Sequence, residues 1–325
     1  MIARRKFIIL GVSALAPVYA LAQPAKKAKI GFLSGNPPAD TAEAFAGFKA
    51  KLRDLGQREG DNLTIEVRYA DGNYDRLEDL VNELIRLNVD VLFTYGTPAS
   101  LTAKRATKTV PIVFGGVADA IGSGLVPSLR NPPANVTGVT TNSHELTPKR
   151  LSLLKEAIPG LARVGVLGNS DFRGRAEVLA ESTAAAKKLS LTPQVADART
   201  VPELNSAFAA LSKGKVTGLI VLPDPFFIVE RQRIADLAKK ARIATMFHLR
   251  QFPEAGGLLS YGTDYLEAFQ QAAVLVDKVL KGAKPTNLPV EQPWHYRLVV
   301  NMKTARALGL KMPKTVLLQA DEVIE

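Results

Sequence analysis

The polar side chains that could carry chemistry in this sequence do not form a recognisable catalytic set. His144, His248 and His295 lie far apart in the chain and show no paired metal-binding spacing. There is no cysteine, so a thiol nucleophile and a thiolate metal site are both excluded. The G-x-S-x-G, Walker A and G-x-G-x-x-G patterns are also absent. We therefore predict no catalytic residue, no metal site and no cofactor.

Small and polar residues that follow short apolar runs indicate binding of a small polar solute instead. Small residues let backbone N–H groups approach a ligand, and a helix beginning at Thr97-Pro98 would offer a partial positive charge to a carboxylate. The candidate binding residues are Ser34, Gly35, Tyr95, Gly96, Thr97, Val117, Ala118, Asp119, Asn169, Asp171, Asp224, Phe247 and Tyr261. Each loop taken singly also fits ordinary turn chemistry, and Asp171 and Asp264 fit helix N-caps better than catalytic bases.

The elements that must position these residues are strands of a parallel sheet. Apolar runs rich in Val, Ile and Leu occupy residues 29–34, 89–96, 110–116, 162–169, 217–224, 243–248 and 257–262. Consecutive apolar residues are typical of strands buried on both faces, and segments of helical period lie between them. The runs fall into two sets, one before about residue 143 and one between about residues 160 and 255. We predict an α/β fold with two doubly wound parallel-sheet lobes and a cleft at the carboxyl ends of the strands.

Capping signals predict where several helices begin. Asp40 and Glu43 form a capping-box pattern before a helix over residues 44–55, which Gly56 closes. The Thr97-Pro98 and Thr147-Pro148 pairs each place a capping hydroxyl before a proline suited to a first helical turn.

Residues 1–22 have the pattern of a cleavable export signal. Positive charges at Arg4 and Arg5 precede an apolar run over residues 7–15, and a small-residue A-L-A exit ends at residue 22. We expect a periplasmic protein whose mature chain begins near Gln23. The paired arginines leave the general secretory route and the twin-arginine route both open.

Composition excludes several other classes of protein. The 325 residues are 46% hydrophobic, which is enough to bury a core in each of two domains and excludes intrinsic disorder. The net charge of +11 comes from Lys and Arg scattered among acidic residues, so we predict no nucleic-acid partner. No stretch after the first 25 residues has the ~20 apolar residues that a membrane span requires.

A series of segments extends over residues 29–325 in a characteristic order. They are NLTIEVRYADGNYDRL, GTPAS, VPIVFGGVADAIGSGLVPSL, NVTGVT, RLSLLKEAIPGLARVGVLGN, LPDPFF, EAGGLLSYG, VDKVLKGAKPTNLPVEQP and LVVNMKTARALGL. Together they resemble the ABC-transporter periplasmic substrate-binding proteins that include tryptophan and tyrosine binders. The resemblance implies the type I periplasmic-binding fold, in which three crossovers join two lobes that close on a ligand. It places one lobe at residues 28–142 and 256–288 and the other at residues 143–255 and 289–325.

The same resemblance implies which loops contact the ligand. Ser34, Thr97 and the turn at residues 117–119 correspond to first-lobe contacts, and residues 169–171 with Asp224 correspond to the second lobe. The segments GNSDFRGR and MFHLRQFPEAGG depart from the common pattern, so the aromatic specificity of those relatives is not carried over. It also stays open whether any of three arginines pairs with a ligand carboxylate or lies on the solvated surface; they are Arg173, Arg175 and Arg250.

The leading hypothesis is a monomeric solute receptor that delivers a small molecule, such as an amino acid, to the membrane permease of an ABC importer. The alternative is a sensory module of the same fold that signals to a membrane receptor. A periplasmic hydrolase or isomerase would need a catalytic pair across the cleft, and the sequence shows none.

Overall fold

The computed structural model describes residues 27–133, 135–171 and 175–325, without the side chains of Arg175 and Glu177. The export signal predicted at residues 1–22 and the open question about Arg173 lie outside the described residues.

Strands and helices alternate along most of the described chain. The strands are β1 Ala28–Ser34, β2 Leu63–Tyr69, β3 Val91–Tyr95, β4 Ile112–Val117, β5 Val136–Thr140, β6 Arg163–Gly168, β7 Thr192–Asp197, β8 Gly218–Val221, β9 Ala244–Phe247, β10 Leu259–Thr263, β11 Tyr296–Asn301 and β12 Glu322–Ile324. The α-helices are α1 Ala42–Asp54, α2 Leu77–Arg86, α3 Thr97–Ala106, α4 Thr147–Ala157, α5 Arg175–Lys188, α6 Val201–Lys213, α7 Pro225–Val229, α8 Arg231–Ala241, α9 Gln251–Glu254, α10 Tyr265–Leu280, α11 Met302–Leu308 and α12 Lys314–Gln319.

The strands form two sheets, and these define the two lobes. The first sheet has the order β2-β1-β3-β4-β5 and is parallel throughout, while the second has the order β12-β11-β10-β9-β8-β6-β7. Within the second sheet only the β10–β11 pair is antiparallel among the described pairings. The predicted α/β class with two parallel-sheet lobes is confirmed.

Each sheet is covered by helices on both faces, which is why its inner strands are apolar on consecutive residues. In the first lobe α1 and α10 cover one face, and α2 and α3 cover the other. In the second lobe α4, α5, α11 and α12 cover one face, and α6, α7, α8 and α9 cover the other. No helix in the described part of the chain is long and apolar enough to span a membrane.

The chain crosses between the lobes three times. These three crossings, called passages below, lie partly at other residues than predicted. The first lies between β5 and α4, near residue 142. The predicted return to the first lobe at residue 256 is wrong, because β10 pairs with β9 and β11 in the second sheet. The chain reaches the first lobe only with α10, which packs along α1. The return to the second lobe predicted at residue 289 is also early, since the Glu291 amide still donates to the Gly138 carbonyl of β5.

The predicted capping box at Asp40 and Glu43 is wrong. Asp40 ends a short 3-10 turn, and α1 begins two residues later at Ala42. The threonines of the two Thr-Pro pairs are the first helical residues rather than caps, so Gly96 and Leu146 occupy the N-cap positions without side-chain capping bonds. Asp264 caps α10 as predicted, because its carboxylate accepts a hydrogen bond from the Leu266 amide.

Candidate ligand-binding cleft

A cavity of about 790 Å³ lies between the two lobes, beyond the carboxyl ends of the strands. The first lobe lines it with the loops that follow β1, β3 and β4, and the second lobe with the loops that follow β6, β8 and β9. This is the place where doubly wound sheets bind ligands, and the volume is ordinary for a small-molecule site.

The first lobe directs the N-terminus of α3 at the cavity. Gly96, just before the helix, has φ 80° and ψ 163°, a conformation that is essentially restricted to glycine. The helix then begins at Thr97, and Pro98 supplies the fixed φ of a first helical turn. Leading amides of a helix lack intrahelical acceptors, so the Thr97 and Ala99 amides offer hydrogen bonds and a partial positive charge to an anion.

Aromatic rings form the walls of the cavity. The rings of Tyr95 and Tyr265 meet edge to face with centroids 5.5 Å apart, and Tyr74 and Phe226 face the cavity from the two lobes. Gly116 admits the tyrosine pair, because an added Cβ would lie 2.8 Å from the Tyr95 ring and closer still to the Tyr265 ring. Burial raises the pKa of Tyr74 and that of Tyr265 to about 12, so both phenols remain neutral hydrogen-bonding groups. These walls suit a planar or apolar ligand group.

The second lobe contributes a buried carboxylate, Asp224, which is 7% exposed. Its Oδ1 accepts hydrogen bonds from Asn169 Nδ2 at 3.1 Å and from the Phe226 amide at 2.8 Å, so Asp224 also caps α7. Burial raises the pKa of Asp224, and the two hydrogen bonds oppose that rise. Asp171 lies at the exposed rim, where it pairs with Arg199 at 3.3 Å.

A buried arginine, Arg150, is 1% exposed and lies close enough to His144, His248 and Tyr265 of the cavity lining to act on them electrostatically. Its Nε donates to the Tyr261 carbonyl at 2.6 Å, and its Nη1 and Nη2 donate to the carbonyl and hydroxyl of Ser143 at 2.6 and 2.9 Å. Ser143 lies on the first passage between the lobes and Tyr261 lies just before the second, so one guanidinium ties two of the three passages together.

Two of the residues that line the cavity, His144 and His248, are histidines. Burial lowers the pKa of His144 to about 4 and that of His248 well below its ordinary value, and the positive charge of Arg150 adds to both shifts. Both imidazoles are therefore neutral near pH 7, so they can donate or accept a hydrogen bond but add no positive charge to the cavity.

Nine of the thirteen predicted binding residues line the cavity; these are Gly35, Tyr95, Gly96, Thr97, Ala118, Asp119, Asn169, Asp171 and Asp224. Four do not. The Ser34 hydroxyl bonds to the Asn36 backbone, and Val117 and Phe247 are fully buried in the cores of their lobes. Tyr261 packs against the core of the second lobe, and its backbone carbonyl accepts a hydrogen bond from Arg150. Successive side chains of a strand point to opposite faces of the sheet, so a residue at a strand end reaches the cavity only on some strands, whereas the loop residues that follow extend beyond the strand end.

Sequence reasoning missed several cavity residues, among them Tyr74, Phe226 and Tyr265. Tyr265 had a usable signal, because it directly follows the Asp264 cap after an apolar run. Of the three arginines left open, Arg250 does not line this cavity and pairs instead with Glu43, Glu254 and Glu322. Arg173 and the side chain of Arg175 are not among the described parts.

Comparisons with known proteins agree with the two-lobe fold. The profile of a family described as ABC transporter substrate binding protein matches residues 34–324. A tyrosine-binding protein of Clostridioides difficile (strain R20291) is 27% identical over 270 residues, which are 83% of this chain and 77% of that protein. A crystal structure of a conserved domain protein from Vibrio cholerae is 27% identical with a TM-score of 0.82, and it covers 92% of this chain and 100% of that chain. The ABC domain from Streptococcus pneumonia in complex with L-Trp is 25% identical, with the same TM-score and the same coverages.

Proposed function

We propose, since the chain belongs to the family of ABC transporter substrate-binding proteins, that it is the exported solute receptor of an ABC importer and that its ligand is an amino acid with an aromatic or apolar side chain. The family consists of ligand-binding proteins, so the chain is a binding protein and not an enzyme. The proposed periplasmic location rests on the signal pattern at residues 1–22, and the proposed permease partner rests on the family.

The observation that carries this proposal is a cavity lined by both lobes. A ligand there is contacted from two sides only when the lobes are together. Because the ligand then binds the closed arrangement more tightly than the open one, it shifts the population towards closure. A permease can recognise the closed arrangement.

The charges around the cavity fit the head group of an amino acid. The N-terminus of α3 suits a carboxylate, and the carboxylate of Asp224 on the opposite lobe suits an ammonium group. The rings of Tyr74, Tyr95, Phe226 and Tyr265 then remain for the side chain. The named ligands of two relatives, tyrosine and L-Trp, have this combination of groups.

Purified protein titrated with L-tyrosine and L-tryptophan tests the proposal directly. We expect saturable heat of binding with at least one of them, a smaller radius of gyration by X-ray scattering in its presence, and recovery of the amino acid unchanged. Absence of binding to both, or chemical conversion of either, would contradict the proposal.

Replacing Thr97 by alanine should weaken amino-acid binding by about tenfold. Loss of one hydrogen bond to a ligand carboxylate costs roughly 1.5 kcal/mol, and about 1.4 kcal/mol corresponds to one decade of affinity. Because Gly96, and not Thr97, is the N-cap of α3, the melting temperature should change little. Calorimetric titration beside thermal unfolding measures both quantities.

Thr147→Ala is the matched control for Thr97→Ala. Thr147 has the same place before a proline at the start of α4, and it does not line the cavity. It should leave affinity unchanged. Equal affinities for the wild type and Thr97→Ala would exclude Thr97 as a ligand contact.

A further inference from the structure

Asp40 of the first lobe and Arg231 of the second form an ion pair across the boundary between the lobes, with Asp40 Oδ1 and Arg231 Nη2 2.9 Å apart. We propose that this pair, the interlobe latch, determines how readily the lobes close. Arg231 is the positioning residue, because its positive charge offsets the free-energy cost of burying the Asp40 carboxylate when the lobes close. The inference rests on the closing motion of the proposed function, but it concerns residues outside the ligand cavity.

Asp40 lines a second, smaller cavity of about 290 Å³ beside the main one, and Arg231 reaches Asp40 from outside the lining of that cavity. His248 and Tyr265 line both cavities, so they form the partition between them. Asp40 is also held from the second lobe by Gln251, whose Nε2 donates to the Asp40 carbonyl at 3.4 Å. Two side chains of the second lobe thus converge on one residue of the first.

Arg231 is oriented by its own lobe before it meets Asp40. Its Nη1 donates to the Ile228 carbonyl at 2.9 Å, which fixes the guanidinium against α7. The same helix carries Phe226 and Ile228 into the main cavity and is capped by Asp224. A ligand that positions α7 therefore positions the latch as well.

The two side chains of the latch are buried to different extents. The Asp40 side chain is 7% exposed and that of Arg231 is 28% exposed. Burial raises the pKa of Asp40 even though Arg231 opposes the shift, so the arrangement in which the two lobes meet at Asp40 is costly for this carboxylate. Removing only the arginine leaves an uncompensated buried charge, whereas neutralising the aspartate removes the attraction and the desolvation cost together.

A second ion pair between the lobes, formed by Arg250 and Glu43, does not have this property. Arg250 Nη1 lies 3.2 Å from Glu43 Oε2, but the two side chains are 45% and 70% exposed. Exposed pairs contribute little to stability and are screened by salt. The latch function is therefore assigned to Asp40 and Arg231 rather than to Arg250 and Glu43.

The unequal burial of Asp40 and Arg231 predicts an unusual order of ligand affinity among variants of this pair. Arg231→Gln should bind L-tyrosine or L-tryptophan about tenfold more weakly than the wild type. Asp40→Asn and the double variant Asp40→Asn/Arg231→Gln should stay within about threefold of the wild type, because neither contains a buried unpaired carboxylate. Arg231→Lys keeps the charge and should lie between the wild type and Arg231→Gln.

Arg233→Gln is the matched control. Arg233 lies two residues further along α8 and pairs at 3.0 Å with Glu230 within the second lobe, so its loss should leave closure and affinity unchanged.

A ligand-free measurement separates the latch from the identity of the ligand. The chain has no cysteine, so spin labels at Glu78→Cys in the first lobe and Lys239→Cys in the second report the distance between lobes without background. We expect part of the wild-type population to show the short distance of the closed arrangement. This short-distance population should be lost in Arg231→Gln and should return in the double variant. Melting temperatures establish that each variant is folded.

Equal distance distributions for the wild type and Arg231→Gln would overturn the latch, as would a double variant that stays as open as Arg231→Gln. If the distributions differ as expected while neither amino acid binds, the latch stands and the proposed ligand is wrong.

Discussion

Replacing Gly262 by alanine should lower the free energy of unfolding by about 3 kcal/mol. Gly262 lies in β10, just before the second passage between the lobes, and an added Cβ would collide with the His248 carbonyl oxygen. It would also lie 3.0 Å from the His248 carbonyl carbon and 3.5 Å from Arg150 Nη2. Because the collision is with backbone, a rotamer change cannot relieve it and β9 and β10 must separate locally.

The measurement is chemical denaturation of Gly262→Ala beside the wild type. Gly168→Ala is the matched control, since Gly168 also lies in a strand of the second sheet and its added Cβ meets its neighbours only at ordinary contact distances of 3.6 Å. We expect a change within about 0.5 kcal/mol for the control. Equal stability of the two variants would show that the close approach at Gly262 has no energetic weight.

Replacing Asp224 by asparagine should weaken amino-acid binding by about a hundredfold. Asparagine keeps the size of the side chain and can still cap α7, so the change removes charge with little effect on local structure. A charge-assisted hydrogen bond from a ligand ammonium is worth up to about 3 kcal/mol, which is two decades of affinity at about 1.4 kcal/mol each. Calorimetric titration with L-tyrosine and L-tryptophan measures the loss.

Asp264→Asn is the control for Asp224→Asn. Asp264 also caps a helix through its carboxylate, but it lies outside the main cavity. Similar losses of affinity in both variants would argue against a charge contact at Asp224.

The pH dependence of binding gives a second readout for Asp224. Burial raises its pKa above the ordinary 3.8, and an ammonium ligand requires the ionised form. Affinity should therefore fall as the pH is lowered through this raised pKa, and the fall should be smaller in Asp224→Asn. An equal fall in both proteins would assign the titration to another group.

The seven apolar runs became strands because strands buried between two helical layers must be apolar on consecutive residues. Two of the edge strands, β2 and β7, do not follow this pattern. β2 has one buried residue followed by six half-buried ones, and β7 pairs on one side only, so neither presents a continuous apolar run. The resemblance placed the second passage too early, because the order of motifs along the chain does not reveal which sheet a strand joins.

The binding loops were predictable in outline, since small and polar residues after buried strands mark the ligand edge of a doubly wound sheet. Three of the four residues that do not line the cavity end their strands, namely Ser34, Val117 and Phe247, although Tyr95 also ends its strand and does line the cavity. Phe247 ends β9 and points into the core, whereas His248, the next residue, lines the cavity. A shift of one residue reverses the facing of a side chain in a strand.

By itself, the sequence determined the α/β class, the two sets of strands, the loops at their carboxyl ends and the resemblance to ABC-transporter substrate-binding proteins. These follow from local apolar patterns and from motif order. Only the tertiary structure decided which residues meet across the chain, such as Arg150 with Tyr261 and Asp40 with Arg231. Burial and pairing depend on contacts between distant segments, so the sequence alone does not distinguish a buried arginine from a solvated one.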